Sequence, residues 1–339
     1  MFEDLGFVDS TARDVSVWFG LLLGLTFGFL AEKSKFCFRR SVIRSKDQKQ
    51  ALGVWMVAFA FAIIGTQTAV YYDIIDFSEN RYYAANPQYL AIAVGGIALG
   101  VGMVLTRGCP SRITVLMGTG NLRAVLVAIV FSITVLSMLK GFLAPIRLFL
   151  SQFTTPTEVV GFRDLPGDIH VWGTIIILPA LAYGIMCRAH KRDLIMGALI
   201  GLCTAGGWIG TGFILFDEFD PIAMQSLGAT LPWSEALFWF VASSSIPLNF
   251  GCGIIGGMIL GGFLGAVTGG RFNLQGFDSA QQTARYFVGA VLMGIGGVLA
   301  GGCTVGSGLT GMSTLSFAAV IAILSIGIGG IFADRVIGK

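Results

Sequence analysis

Two cysteines stand where long apolar segments break off, and their surroundings could do chemistry. Cys303 lies in the stretch LAGGCTVGSGLTG, where small and polar residues follow an apolar run. Cys109 lies in RGCPSR, and Pro110 after it fits the first position of a new helix. Irregular backbone at membrane depth is tolerated only where protein buries it or water reaches it. Both breaks therefore predict a cavity or a pathway beside a thiol.

A third cysteine, Cys37, lies between aromatic and basic residues in KFCFRR. A thiol is soft, donates weak hydrogen bonds and matches a substrate that itself exposes sulfur. A series of weak contacts lets a bound substrate move on, whereas one tight site would retain it. Helix N-termini and glycine turns also offer free N–H groups to anions. These features predict a path for a small anion, with neutral S–H groups as donors; covalent persulfide formation is the alternative chemistry.

The candidate residues fall into three groups. Cys109 and Cys303, at equivalent breaks, are the predicted substrate-pathway residues, and the residues alone leave Cys37 open between a pathway role and packing. The predicted supporting residues are Gly108, Pro110, Ser111, Arg107, Arg112, Gly302, Thr304 and Gly306, and the basic side chains Lys35, Arg39 and Arg40 would add positive potential. Cys187, Cys203 and Cys252 are expected to be packing residues. No catalytic residue, metal ligand or cofactor is predicted, and two histidines leave little material for a metal site.

The composition is that of an integral membrane protein. Of the 339 residues, 55% are hydrophobic and 12% are charged, with a mean hydropathy of +0.80. This is far more apolar than a soluble domain. The net charge of +3 comes from basic residues dispersed among short loops, which argues against a nucleic-acid partner. We therefore expect an all-α polytopic membrane protein in which residues 1–339 form one transporter domain.

The elements that must position the cysteines are apolar segments long enough to cross a bilayer, which takes about 20 residues. About nine such segments are predicted, at roughly 15–31, 50–71, 88–106, 122–142, 171–188, 193–213, 251–269, 285–300 and 314–333. A shorter apolar piece, 235–250, contains Pro247 and is predicted as a half-helix or re-entrant segment.

Loop charge predicts the orientation of these segments. The loops 32–49 and 187–193 are basic, and such loops face the cytoplasm by the positive-inside rule. This places the N-terminus outside, the C-terminus in the cytoplasm and the long polar connection 142–170 outside.

The two clearest breaks belong to an internal repeat. VGGIALGVGMVLTRGC (94–109) and VGAVLMGIGGVLAGGC (288–303) agree at half of sixteen positions and share the Gly-Cys ending. In the predicted orientation the two copies run antiparallel. This indicates an inverted repeat with pseudo-two-fold symmetry, which is typical of transporters. The repeat halves are expected at roughly 14–145 and 235–335, with a middle section between them.

Three segments, KSKFCFRR, LTRGCPSRITVLMGTGNLRA and LAGGCTVGSGLTGMSTLS, carry a resemblance that spans nearly the whole chain. In them the sequence resembles the YeeE/YedE family of bacterial inner-membrane permeases for sulfur compounds. The resemblance implies an hourglass-shaped helical protein in which thiosulfate is handed along three cysteines, here Cys37, Cys109 and Cys303. It also implies a small TusA-like sulfur carrier as a possible partner on the cytoplasmic side.

The leading hypothesis is an inner-membrane permease, and not an enzyme, that imports a small sulfur oxyanion, with thiosulfate as the first candidate. Transport of a selenium compound or sulfite is one alternative, and a scaffold or carrier-docking subunit is another. A third alternative is a membrane thiol–disulfide oxidoreductase. That activity usually needs a close cysteine pair such as C-x-x-C, and no two cysteines here are closer than sixteen residues in sequence.

Overall fold

The computed structural model describes residues 11–337 except 79, 85, 158, 168, 218–220 and 278. The α-helices in these residues are α1 (Ala12–Lys33), α2 (Phe38–Val42), α3 (Gln48–Tyr71), α4 (Tyr89–Leu105), α5 (Pro110–Gly118), α6 (Leu122–Lys140), α7 (Ala144–Ser151), α8 (Ile169–Met186), α9 (Lys191–Ile209), α10 (Thr230–Val241), α11 (Phe250–Val267), α12 (Ala280–Leu299) and α13 (Phe317–Ile337). Two π-helical turns, Gly210–Ile214 and Gly306–Gly311, interrupt the α-helical geometry.

Seven helices in the described part of the chain are long and apolar enough to cross a membrane. The apolar part of α8, Val171–Met186, is shorter, and four of the first six residues of α12 are polar or charged. All the predicted crossings correspond to helices whose ends differ by a few residues from the prediction. The chain is an all-α polytopic membrane protein, as its composition predicts.

The half-helix predicted at 235–250 begins and ends earlier than expected. α10 spans Thr230–Val241, residues 242–246 form a turn flanked by bends, and residues 247–249, which begin with Pro247, are irregular. Pro232 lies in the first turn of α10, where a missing N–H breaks no helical hydrogen bond. This proline therefore marks the start of the helix. The polar connection 142–170 also contains a short helix, α7.

The same turn precedes each cysteine of the predicted pathway. Lys35, Arg107 and Gly301 each lie two residues before a cysteine and have left-handed backbone, with φ of 53°, 58° and 72°. At the end of α1 the backbone N–H of Phe36 donates to the Ala31 carbonyl at 2.9 Å. At the end of α4 the N–H of Gly108 donates to the Met103 carbonyl at 3.1 Å. This is the Schellman arrangement that closes a helix C-terminus. All three helices thus end at a left-handed residue, and a cysteine follows two residues later.

Glycines bring α4 and α12 into backbone contact. A Cβ at Gly95 would lie 2.9 Å from the Gly296 carbonyl oxygen, and a Cβ at Gly102 would lie 2.5 Å from the Gly289 carbonyl oxygen. The two helices therefore cross antiparallel, as predicted for the two copies of the repeat. α4 also packs against α13, α12 against α6, α1 along α11 and α3 along α9. The segments after the breaks lie inside this bundle, and residues 302–316 are all buried.

Candidate functional site

Cys303 is fully buried at the break after α12. Its Sγ atom lies 3.3 Å from the Oγ atom of Ser111, which belongs to the first turn of α5. The backbone N–H of Gly306 donates to the same sulfur at 3.4 Å. The Gly306 carbonyl in turn accepts a hydrogen bond from the Tyr82 hydroxyl at 2.9 Å. The thiol at the second break thus contacts the helix that begins at the first.

Cys109 and Cys37 form a second contact of the same kind. Both are buried, and their side chains interact with each other. Thr304, the residue after Cys303, lies beside the Cys109 thiol. Its buried hydroxyl has no aligned hydrogen-bond partner among the described residues. The three thiols therefore form one chain, in which Ser111 and Thr304 lie between Cys303 and Cys109.

Each of these cysteines occupies the position that normally caps a helix. Cys109 is the N-cap of α5 and Cys37 the N-cap of α2, and Cys303 precedes the helical turn that leads to Gly306. Cys109 and Cys37 make no side-chain capping hydrogen bond among the described residues, whereas at Cys303 the backbone N–H of Gly306, three residues on, donates to the sulfur. This is the geometry of an N-cap side chain, with sulfur in place of oxygen.

A cavity of about 620 Å³ reaches Cys303 from one side. Its floor includes Gly302, Cys303 and Gly306, and its wall includes the start of α10. Ala229, the N-cap of α10, offers no side-chain cap. The Thr230 hydroxyl is buried in this wall and has no hydrogen-bond partner among the described residues. The cavity wall therefore offers hydrogen-bond donors to an anion.

Charged residues of the loop after α3 line the same cavity. Asp76 and Arg81 both contribute to the lining. The Asp76 carboxylate accepts a hydrogen bond from the Ser78 hydroxyl, and this bond lowers the pKa of Asp76 below its ordinary value. The exposed Arg163 guanidinium lies 3.4 Å from the same carboxylate. Asp76 is therefore a fixed negative charge at the cavity wall at neutral pH.

On the opposite side of the thiols the path is closed. A narrow void there is lined by Phe27, Ala31, Phe36, Phe38, Cys109, Ser111, Arg112 and Val305, and it leaves no room for a water molecule. Three of these residues are phenylalanines, and Phe27 and Phe36 meet edge to face at a centroid distance of 6.4 Å. Side chains therefore close this void, and it forms no open passage.

The structure brings the three predicted pathway cysteines close together. The basic residues near them differ in exposure and in their partners. The side chains of Lys35 and Arg107 are exposed, so these residues supply the turn geometry at the breaks and no charge beside a thiol. Arg112 lies beside the thiols, but Glu32 is 3.0 Å away and partly neutralises it.

Pro110 starts α5 as predicted. The carbonyl of Gly108 accepts a hydrogen bond from Thr106 at 3.0 Å, and a Cβ at Gly302 would crowd Ser307.

Several residues at this site carry no signal in the sequence that singles them out. Tyr82 and Thr230 act through contacts with segments far away in the chain. Glu32 is the exception, because its position is visible in the sequence. An ionisable residue at the end of an apolar helix is a candidate functional residue. The spacing argument against a close cysteine pair also fails in three dimensions, since Cys37 and Cys109 are neighbours. Cys187 instead donates to the Gly184 carbonyl at 3.0 Å, within α8 and its end.

Helices that break beside buried thiols, with a cavity leading to them, are typical of membrane transport proteins. The chain belongs to the Sulphur transport family, whose model matches residues 33–332. It is 26% identical over 326 residues to the thiosulfate transporter TsuA of Spirochaeta thermophila, covering 90% of this chain and 94% of that protein. It is 23% identical over 316 residues to the thiosulfate transporter TsuA of Escherichia coli K12, covering 86% of each.

These matches confirm the resemblance to the YeeE/YedE family. The protein is a multi-pass membrane transporter of sulfur compounds, and it is not an enzyme. Family membership, and not cysteine spacing, sets aside the thiol–disulfide oxidoreductase.

Proposed function

We propose that this protein imports thiosulfate across the bacterial inner membrane and that its three buried thiols pass the anion through the constriction. The observation that carries this proposal is the continuous order of cavity, Cys303, Cys109 and Cys37. Thiosulfate has a terminal sulfur that suits an S–H contact and oxygens that suit N–H and O–H donors. Two relatives that match most of the chain are thiosulfate transporters, which supports this substrate.

The proposed passage begins in the cavity. The uncapped start of α10 and the Thr230 hydroxyl receive the sulfonate oxygens, and the terminal sulfur meets Cys303 at the floor. Ser111 and Thr304 hold the anion between the first thiol and the second. Cys109 and Cys37 then pass it on toward the void. Each thiol remains a neutral donor, because a thiolate would repel a dianion, and no bond to the substrate forms.

The proposed orientation places the cavity outside the cell. The cavity is lined by the loop after α3, which carries the acidic stretch 73–79, whereas the loop that holds Cys37 is strongly basic. Basic loops are retained in the cytoplasm. The N-terminus then lies outside and the C-terminus inside. The TusA-like carrier protein would receive the substrate on the basic side.

Packing suggests repeat halves with a different second boundary from 235–335. The helix pairs α1–α11 and α9–α3 pack in the same way. The pairs α4–α13 and α12–α6 also correspond. Exchanging α1 with α9, α3 with α11, α4 with α12 and α6 with α13 reproduces these pairs. We therefore place the halves at 12–140 and 191–337, with α8 between them. Ala229, as the N-cap of α10, then takes the place that Cys37 has at α2.

Uptake of radiolabelled thiosulfate tests the proposal, in cells that lack their own sulfate and thiosulfate systems. The native chain should accumulate label, and Cys303→Ala, Cys109→Ala and Cys37→Ala should each reduce uptake strongly at equal membrane abundance. Cys203→Ala is the matched control, since Cys203 lies in α9 away from the cavity and void linings. Unchanged uptake in all three pathway variants would remove the thiol relay. Lack of uptake by the native chain would direct the search to sulfite or selenium compounds.

A further inference from the structure

A buried carboxylate lies at the inner end of the thiol chain. Glu32, in the last turn of α1, is only 4% exposed. Its Oε2 atom lies 3.0 Å from Nη1 of Arg112, and its Oε1 atom lies 3.4 Å from Nη2 of Arg271. One carboxylate thus sits between two guanidinium groups, and the three side chains together carry one net positive charge.

Arg112 faces the path that the substrate must take. Its side chain is 12% exposed and lines the void with Cys109 and Ser111. Its Nη1 atom donates to the Ala31 carbonyl oxygen at 3.0 Å, and its charge acts on Cys37. A guanidinium carries five N–H donors. Ala31 and Glu32 are its partners among the described residues, so donors remain for an anion beside Cys109.

The contact between Arg112 and Glu32 is one that another anion can replace. The Oε2 atom of Glu32 has no aligned hydrogen bond, although it lies close to the guanidinium. Arg271 holds the other side of Glu32 more completely, because it approaches Oε1 and also donates to the Glu32 backbone oxygen at 3.1 Å. A buried cation requires a counter-ion, and Glu32 can serve Arg112 without being fixed to it.

We propose that Arg112 is the specificity-determining cation at the inner end of the path and that Glu32 is its internal counter-ion, displaced when the substrate anion arrives. Arg271 keeps the displaced carboxylate in place. Return of Glu32 to Arg112 then weakens the hold on the substrate and favours its release. This inference rests on the proposed transport function and explains how a site that attracts an anion also lets it go.

Glu32→Gln is the decisive variant, because it leaves Arg112 without its internal competitor. The KM for thiosulfate should fall about fivefold or more, the maximal rate should fall because release is slower, and chloride should now inhibit uptake. Arg112→Gln should raise the KM by a similar factor and show no chloride inhibition. Lys33→Gln, at the neighbouring position, is the matched control and should change neither property. An unchanged KM and no chloride inhibition in Glu32→Gln would overturn the proposal.

A measurement without transport separates this proposal from the proposed function. In purified protein, chloride and thiosulfate should raise the Tm of Glu32→Gln more than they raise the Tm of the native chain. If Glu32→Gln does not fold, Glu32→Asp replaces it, since the shorter carboxylate withdraws from Arg112 and should show the same changes to a smaller degree. Equal anion effects on variant and native protein refute the counter-ion role. Failure of the native chain to transport thiosulfate would refute only the proposed function.

Discussion

The Oγ atom of Ser111 and the Sγ atom of Cys303 lie 3.3 Å apart, although 192 positions separate the two residues in the sequence. Ser111 is in the first turn of α5, and Cys303 follows α12. Their contact joins the two breaks at the floor of the cavity. The Ser111 hydroxyl contacts the thiol at this point and, in the proposed passage, is available to the anion.

Ser111→Ala should therefore weaken transport without unfolding the protein. Loss of one hydrogen bond of this kind costs about 1 kcal/mol, which corresponds to a rise in KM of about fivefold. Uptake kinetics with radiolabelled thiosulfate measure this change. Ser132→Ala is the control, because the Ser132 hydroxyl is also buried but bonds within its own helix to Ile129. Equal effects of the two substitutions would show that Ser111 has no special role.

Gly301→Ala should disturb the Cys303 break through backbone conformation alone. Gly301 has φ of 72°, and nothing lies within 4 Å of the position that a Cβ would occupy. An L-residue in this conformation costs about 1 kcal/mol, so both the Tm and uptake should fall. Gly256→Ala offers a matched comparison, since its site is equally open but lies within α11. That substitution should leave the Tm unchanged or raise it, because alanine favours helix. A fall in Tm for both variants would contradict this account.

Much of this arrangement is visible in the sequence because it depends on local patterns. Apolar length predicts the crossings, and Pro110 and the glycines around Cys303 predict the breaks. The repeated breaks single out Cys109 and Cys303, and the family resemblance adds Cys37 to them. Contacts between distant segments leave no such pattern, so the pairing of Glu32 with Arg112 cannot be read from the sequence.

A charge that is close to a cysteine in the sequence is not thereby close to its sulfur in the structure. A left-handed residue turns the chain before each thiol, and the turn sends the side chains of Lys35 and Arg107 away from the site. Likewise, the sequence predicts a helix that ends at Pro247, whereas the helix in the structure, α10, has Pro232 in its first turn.

Asp76→Asn should improve capture of the anion at the cavity. Removing a negative charge from the lining lowers repulsion, so the KM for thiosulfate should fall at low ionic strength and the difference should shrink with added salt. The lowered pKa of Asp76 keeps it charged from pH 5 to pH 8. The ratio of native to variant KM should therefore be the same at both ends of this range. Asp73→Asn is the control, because Asp73 is exposed outside the lining. A ratio that changes with pH would show that another group responds to the substitution.

Arg107→Gly separates the two roles that Arg107 could have. Its side chain is exposed and its φ is 58°, so the structure assigns it a turn and no contact with the thiols. Glycine relieves the left-handed strain but loses more entropy on folding, and the net change in stability should stay within about 1 kcal/mol. Uptake kinetics should match those of the native chain, because the break before Cys109 keeps its shape. Arg107→Ala keeps the strain, removes the same charge and should lower the Tm relative to Arg107→Gly. A KM raised equally in both variants would instead show that the guanidinium attracts the substrate.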